Sequence, residues 1–298
     1  MSSPWPSVTK TFHHSPYEAI DPRNPSLSAQ GKVVIVTGGA SGGGKSIATA
    51  FTIAGARAVI ILGRTKETLE ATTQVLSSLA LSQTKKPSLI RYFVADVRDT
   101  QAIALVFQTV RQEIGAVDIL VNNAGYLSTL DTTENSDIED YWTSFEVNVK
   151  GTLNVVQAFL RFGRDKTATA KRQPTILNVS TAGVHLPCIP RYSSYAASKV
   201  AAWKLVEYVA FETAGSVRVF SIHPGSIETD MSRKANIQPL DDFALPGAFC
   251  VWLSATPEAD FLHGRLVWSN WDVQELMERK PEIIREDLFT LKLSGWHD

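Results

Sequence analysis

Tyr195 and Lys199 stand four residues apart in Ser193-Ser194-Tyr195-Ala196-Ala197-Ser198-Lys199, a run that reads as helix. Residues at i and i+4 share one helix face, one turn apart. An ammonium beside a phenol favours the ionised oxygen, which suits the pair to general acid catalysis near neutral pH. The same spacing also occurs on solvated helix faces that have no task, so the pair gains meaning only from other groups. Two are present: Asn122-Asn123-Ala124-Gly125 closes the fourth apolar run, and Ser180-Thr181 closes the fifth. A hydroxyl there offers one donor and two lone pairs.

A third stretch, Thr37-Gly38-Gly39-Ala40-Ser41-Gly42-Gly43-Gly44-Lys45-Ser46, follows the first apolar run. Glycines in that place allow a tight turn and let backbone amides approach a phosphate at a helix start. The same letters satisfy a second pattern, Gly39-x4-Gly44-Lys45-Ser46, the P-loop of nucleoside triphosphatases, with Asp96 as the magnesium-side aspartate. A turn that binds nothing is the third reading. A triphosphatase has no use for the Tyr-Lys turn, the Asn pair or the hydroxyl pair, whereas a dinucleotide oxidoreductase uses all three.

The elements that position these groups alternate. Val33–Thr37, Ala58–Leu62, Leu89–Val94, Val117–Val121, Thr175–Val179, Val217–Ile222 and Arg265–Trp268 are short, almost wholly apolar and rich in β-branched residues. Such runs belong to strands buried on both faces. Helical stretches fall between them near Lys45–Ala54, Lys66–Leu81, Thr100–Ile114, Asp137–Phe162, Tyr192–Thr213 and Pro246–Ser254. Strict alternation predicts right-handed crossovers and a doubly wound, Rossmann-type α/β fold: a parallel sheet of about seven strands with helices on both faces.

The 298 residues divide, on this reading, into an N-terminal extended arm (1–30), a dinucleotide-binding catalytic domain (31–270) and a C-terminal extension (271–298). Prolines 4, 6, 16, 22 and 25 favour an extended arm, on which His13 and His14 read as a solvated pair. A net charge of −1 gives no reason to expect a nucleic-acid partner. The apolar runs are too short for a membrane span, and the missing secretory core points to the cytoplasm. Cys188 and Cys250 are too few for a disulfide framework and read as buried thiols, and no metal site is expected. His185, Tyr192, Trp268 and Trp271 read as packing before pocket lining.

From about Lys32 to Trp268 the chain resembles the short-chain dehydrogenase/reductases. The resemblance rests on Thr37-Gly38…Gly42-x-Gly44, Asp96-Val97, Asn122-Asn123-Ala124-Gly125, Asn148-Val149-Lys150-Gly151, Asn178-Val179-Ser180-Thr181, Tyr195…Lys199, and Pro224-Gly225 with Thr229. Thr11-Phe12-His13-His14 and Val267–Asp272 are similar to a fungal branch of secondary metabolism. The resemblance implies hydride transfer between NADP(H) and a small carbonyl or alcohol, by a homodimer or homotetramer, with a catalytically silent dinucleotide-binding protein on the same fold as the alternative. Tyr195 would be the proton donor, Lys199 would lower its pKa and hold the ribose, and Asn148 would keep a water path. The carbonyl-polarising hydroxyl would be Thr181, or Ser180 if the alignment is set backward from Gly183. Gly38, Ser41, Gly42, Gly43, Gly44, Asp96, Val97, Asn123, Ala124, Ile227 and Thr229 would line the cofactor. Gly43 departs from the family's usual isoleucine and should lose a packing contact. At Gly63-Arg64-Thr65 no acid is present to favour NAD(H), which stays the alternative, and Arg64, with Lys66 near it, suits a 2′-phosphate. Met231 to Leu245, irregular and mixed in polarity, is a candidate substrate lid.

Overall fold

The computed structural model describes residues 7–83, 87–167 and 173–293. Seven strands lie in the order β3-β2-β1-β4-β5-β6-β7, and every pairing is parallel. They are β1 (Val33–Thr37), β2 (Ala58–Gly63), β3 (Leu89–Val94), β4 (Ile119–Asn122), β5 (Thr175–Val179), β6 (Arg218–His223) and β7 (Leu266–Trp268). The order reverses between β1 and β4, and ligands of such sheets bind beyond the strand ends at that switch.

Alternate residues of each strand feed different cores. Val34 and Val36 of β1 face helices α1 (Gly42–Ile53), α2 (Lys66–Gln83) and α8 (Leu245–Ala255). Val33 and Ile35 face the layer of α3 (Thr100–Glu113), α5 (Gly151–Ala158) and α6 (Ser193–Glu212). A sheet covered on both sides explains why its strands read as unbroken apolar runs.

The long helix expected over Asp137–Phe162 is continuous but not uniform. Ile138–Phe145 (α4) passes through a π turn at Glu146–Lys150 into α5, and a second π turn spans Phe159–Gly163. Asp137 caps its start by accepting the Asp140 N–H at 2.8 Å. The first π turn carries Asn148. Gly151 follows because a Cβ there would stand 2.6 Å from Val97 Cγ2.

Three segments differ from the sequence reading. The span from Met231, expected to be irregular, begins with helix α7 (Asp230–Lys234), whose Thr229–Ser232 capping box was not recognised as a start signal. His13 and His14, expected to be solvated, are half-buried and paired with Asp272 (2.8 Å) and Asp241 (2.6 Å). Carboxylates supplied from more than 200 residues away remove them from water. Cys250 is buried as expected, but Cys188 is exposed, because it lies in the open segment between β5 and α6. The C-terminal segment adds α9 (Val273–Glu278) and α10 (Lys280–Arg285). Among the described residues no helix is long and apolar enough to cross a membrane.

Candidate active site

The carboxyl ends of β1, β4, β5 and β6 converge around the switch point, tied by a ladder of buried polar side chains. Asn122 on β4 donates to Asn178 Oδ1 on β5 at 2.9 Å, and Asn178 donates to Ser221 Oγ on β6 at 3.2 Å. The three are in register, so one bond per strand suffices. Thr37 Oγ1, at the end of β1, accepts the N–H groups of Asn123 (2.9 Å) and Ala124 (3.0 Å). Every buried polar group in this ladder therefore has a partner, as burial demands.

The glycine loop is built for close approach. Gly38 and Gly42 adopt φ of +62° and +48°, a region that glycine enters without steric cost. At Gly44 a Cβ would lie 2.2 Å from Gly38 O and 2.5 Å from Asn123 Nδ2. Gly42 faces Thr229 across the cleft, where a Cβ would meet Thr229 Cγ2 at 3.0 Å. Ser41 makes no side-chain cap bond, so the first amides of α1 are not claimed by it. A phosphate at the positive end of α1 fits this cradle. Gly43 has ordinary room: a Cβ would sit 3.5 Å from Asn123 Oδ1 and 3.6 Å from Ile227 Cδ1. The packing contact expected to be lost there is one that a side chain would make with Ile227.

Nearby, Asp96 is held by Arg98, whose Nε and Nη2 reach it at 3.1 and 2.8 Å, and this keeps its carboxyl below the usual range. Asn154 fixes the same loop by donating to Val97 O at 2.9 Å. Arg64 is exposed, and its charge is felt at both Asp96 and Tyr126. Lys66 pairs with Glu70 instead, at 3.7 Å.

The Tyr-Lys turn sits at the start of α6. Lys199, 6% exposed, donates from Nζ to Val179 O at 2.9 Å and lies 5.9 Å from the Tyr195 ring centroid. Burial lowers its pKa to about 8. Tyr195 goes the other way: burial, reinforced by Tyr192, raises the phenol well above its usual range. The lowering of Tyr195 expected from Lys199 is not seen in the free protein, where burial dominates the phenol.

Asn148 spends its side chain on positioning. Its Oδ1 accepts the Tyr126 N–H at 2.8 Å, and its Nδ2 donates to Tyr126 O and Ser198 Oγ, both at 2.9 Å. Ser198 in turn donates to Tyr195 O at 2.9 Å. Ser198 was not singled out by sequence reasoning, although its hydroxyl three residues after Tyr195 was the available signal.

Of the two hydroxyls, Ser180 Oγ is buried without a partner among the described residues. Thr181 is partly accessible and accepts the Gly183 N–H at 3.3 Å, which leaves its O–H free to donate. Sequence reasoning also missed His223, at the end of β6. Its Nδ1 accepts the Ala182 N–H at 3.1 Å, pinning the residue after Thr181, and burial lowers its pKa to about 3. The signal was an imidazole directly before Pro224-Gly225. Trp268 and Trp271 are buried and stacked on each other, and Trp268 donates to His185 Nε2 at 3.0 Å. They are packing, as expected.

The model of the short chain dehydrogenase family matches residues 32–239. The chain belongs to the short-chain dehydrogenase/reductase family, and it is an oxidoreductase. It is 33% identical over 292 residues to the short chain dehydrogenase/reductase nsrO of Aspergillus novofumigatus, covering 95% of both chains. A short chain dehydrogenase/reductase of Claviceps purpurea is 35% identical over 290 residues, 95% of this chain and 93% of that one. Among solved structures, a short chain dehydrogenase from Burkholderia cenocepacia in complex with NADP superposes with a TM-score of 0.69 at 25% identity. That match covers 80% of this chain and 96% of the other. The triphosphatase reading finds no support in this dehydrogenase/reductase. Ser46, which would bind magnesium, is buried and donates instead to Phe243 O.

The cradle predicts opposite outcomes for two neighbouring substitutions. Gly44→Ala forces a Cβ into backbone and should cost about 1–3 kcal/mol, as overpacking does, and weaken dinucleotide binding. Gly43→Ala should leave both nearly unchanged. Thermal melts and dinucleotide titrations of the two variants check this, and equal losses would contradict it.

Proposed function

We propose that this enzyme is an NADPH-dependent reductase of a ketone or aldehyde carried by a small organic molecule, with the alcohol oxidation as its reverse. One observation carries the reading: the bond from Lys199 Nζ to Val179 O brings the Tyr-Lys turn of α6 to the end of β5, where Thr181 stands. NADPH, when bound, supplies a hydride to the carbonyl carbon. The glycine loop from Gly38 to Gly44 would receive its pyrophosphate, Asp96 and Val97 its adenine side, and Asn123, Ala124 and Lys199 its riboses. Ile227 and Thr229 would meet the nicotinamide end.

In the reduction, the Thr181 hydroxyl donates a hydrogen bond to the carbonyl oxygen, and Tyr195 Oη gives that oxygen its proton. The raised pKa of Tyr195 favours this direction, since a phenol that stays protonated is ready to donate. Lys199 remains cationic and stabilises the charge that develops on the phenolate, the kind of preorganised electrostatic help that dominates such steps. Asn148 holds the π turn and, through Ser198, the Tyr195 backbone. The accessibility of Thr181, against the sealed Ser180, supports the former as the hydroxyl.

Preference for the phosphorylated cofactor is supported by exposed Arg64, by the absence of an acid at Gly63-Arg64-Thr65, and by the NADP held in the Burkholderia relative. Secondary-metabolite carbonyls are the proposed substrate class, supported by full-length likeness to the Aspergillus and Claviceps proteins. Exposed Trp142, Tyr208 and Phe211, on α4 and α6, support a homodimer or homotetramer built on those helices.

Ketones screened with NADPH, followed by loss of its absorbance, test the activity. On any substrate found, Tyr195→Phe should bind NADPH as before and lose ~10²–10⁴-fold in turnover; near-parental activity would refute the assignment. Arg64→Ala should weaken NADPH by one to two powers of ten, about 1.5–3 kcal/mol, and leave NADH little changed. An unchanged NADPH/NADH ratio would show that Arg64 does not read the phosphate.

A further inference from the structure

The segment Pro224–Thr229 leaves β6 through a sharp turn, with Gly225 at φ +87°. A Cβ on Gly225 would stand 2.7 Å from Asp241 Oδ2. The Asp241 side chain is only 5% exposed. Its Oδ2 accepts the Ser226 N–H at 2.5 Å, and its Oδ1 meets His14 Nδ1 at 2.6 Å. A carboxylate only accepts, so His14 carries a proton on Nδ1. The backbone doubles the connection. Asp242 N donates to His14 O at 2.6 Å, while Leu240 N and Asp241 N donate to Ser226 O at 2.8 and 3.1 Å.

His14 is itself held. Phe12 forms an antiparallel bridge with Trp271, and His13 N donates to Asn270 O at 2.7 Å. Glu275, on α9, accepts the N–H groups of Lys10 and Thr11 at 2.6 and 2.9 Å. The N-terminal arm and the C-terminal segment thus brace each other, with one imidazole reaching from the brace to Asp241.

We propose that His14 is a positioning residue for the cofactor: through Asp241 it fixes Gly225 and Ser226, and with them Ile227 to Thr229, in the conformation that receives the nicotinamide end. The inference rests on the cofactor role proposed above for Ile227 and Thr229. A loop that must be ordered on binding costs affinity, and one already ordered does not. Without the imidazole, Asp241 Oδ1 loses its donor in a nearly dry place, so the turn it holds loosens.

The test uses the full chain and compares His14→Ala, His14→Asn, Asp241→Asn and His13→Ala. NADPH affinity is read by cofactor fluorescence, and amide hydrogen exchange is followed without cofactor. His14→Ala should weaken NADPH roughly tenfold, the scale of one charge-assisted hydrogen bond. It should also speed exchange at Ser226, Leu240 and Asp241. Asp241→Asn should act in the same direction, and it carries the test if His14→Ala melts too early to assay. His14→Asn should restore both readouts, because its Nδ2 can donate where the imidazole Nδ1 did. His13→Ala breaks the neighbouring pair with Asp272, so it should lower the melting temperature while leaving NADPH affinity and exchange at these amides near parental values. Equal effects of His13→Ala and His14→Ala, or parental exchange in His14→Ala, would overturn the clamp. A parent that binds no NADPH would instead overturn the proposed function, and the exchange comparison would still judge the clamp.

Discussion

A buried ammonium sets the terms for this active site. Lys199 is 6% exposed, and its Nζ donates to the carbonyl of Val179, the last residue of β5. An ion taken out of water is tolerated only where a polar partner receives it, so α6 can dock in one way, with its first turn over the strand end. Tyr195 is one turn away on the same helix, and the docking therefore brings it to the cleft. Ser198 lies between them in sequence and extends the constraint to Asn148, which extends it to Tyr126. Helix, π turn and post-β4 loop are fixed by that chain of bonds.

The opposite wall obeys a different constraint, the absence of side chains. Gly38, Gly42 and Gly44 leave room that any Cβ would fill, with Asn123, Thr229 and the Gly38 carbonyl as their nearest neighbours. Gly151 permits the π-turned helix to lie against Val97, on the side of the cleft where Asp96 is held by Arg98. The cleft thus pairs a polar, tightly bonded wall with a bare one. That combination suits a rigid phosphate-bearing ligand on one side and a reacting carbonyl on the other.

Much of this was legible in the chain. β1 and β5 begin and end where the apolar runs do, because strands buried on both faces announce themselves by composition. Asn148 reaches the Tyr195 turn through Ser198, and the glycine loop lies against Asn123. What escaped was long-range or conformational. His14 and Asp241 are 227 residues apart, and nothing local marks them as partners. The π turn at Glu146–Lys150 keeps the residue pattern of an α-helix, so periodicity cannot reveal it. The sign of the Tyr195 shift depends on how completely the fold dries it, which spacing alone does not encode.

In the proposed mechanism a neutral Tyr195 donates the proton while a protonated Lys199 supports it. Burial holds Lys199 at about 8, raises Tyr195, lowers His185, and lowers His223 to about 3. Lys199 is charged below its pKa and neutral above it, whereas the phenol stays protonated throughout. The pH dependence of kcat/KM for reduction, measured from pH 5 to 10, isolates this arrangement. The expected profile is a plateau on the acid side and a single fall through about pH 8. A rate that titrates near pH 6.5, as an unperturbed imidazole would, or that stays level to pH 10, would contradict it.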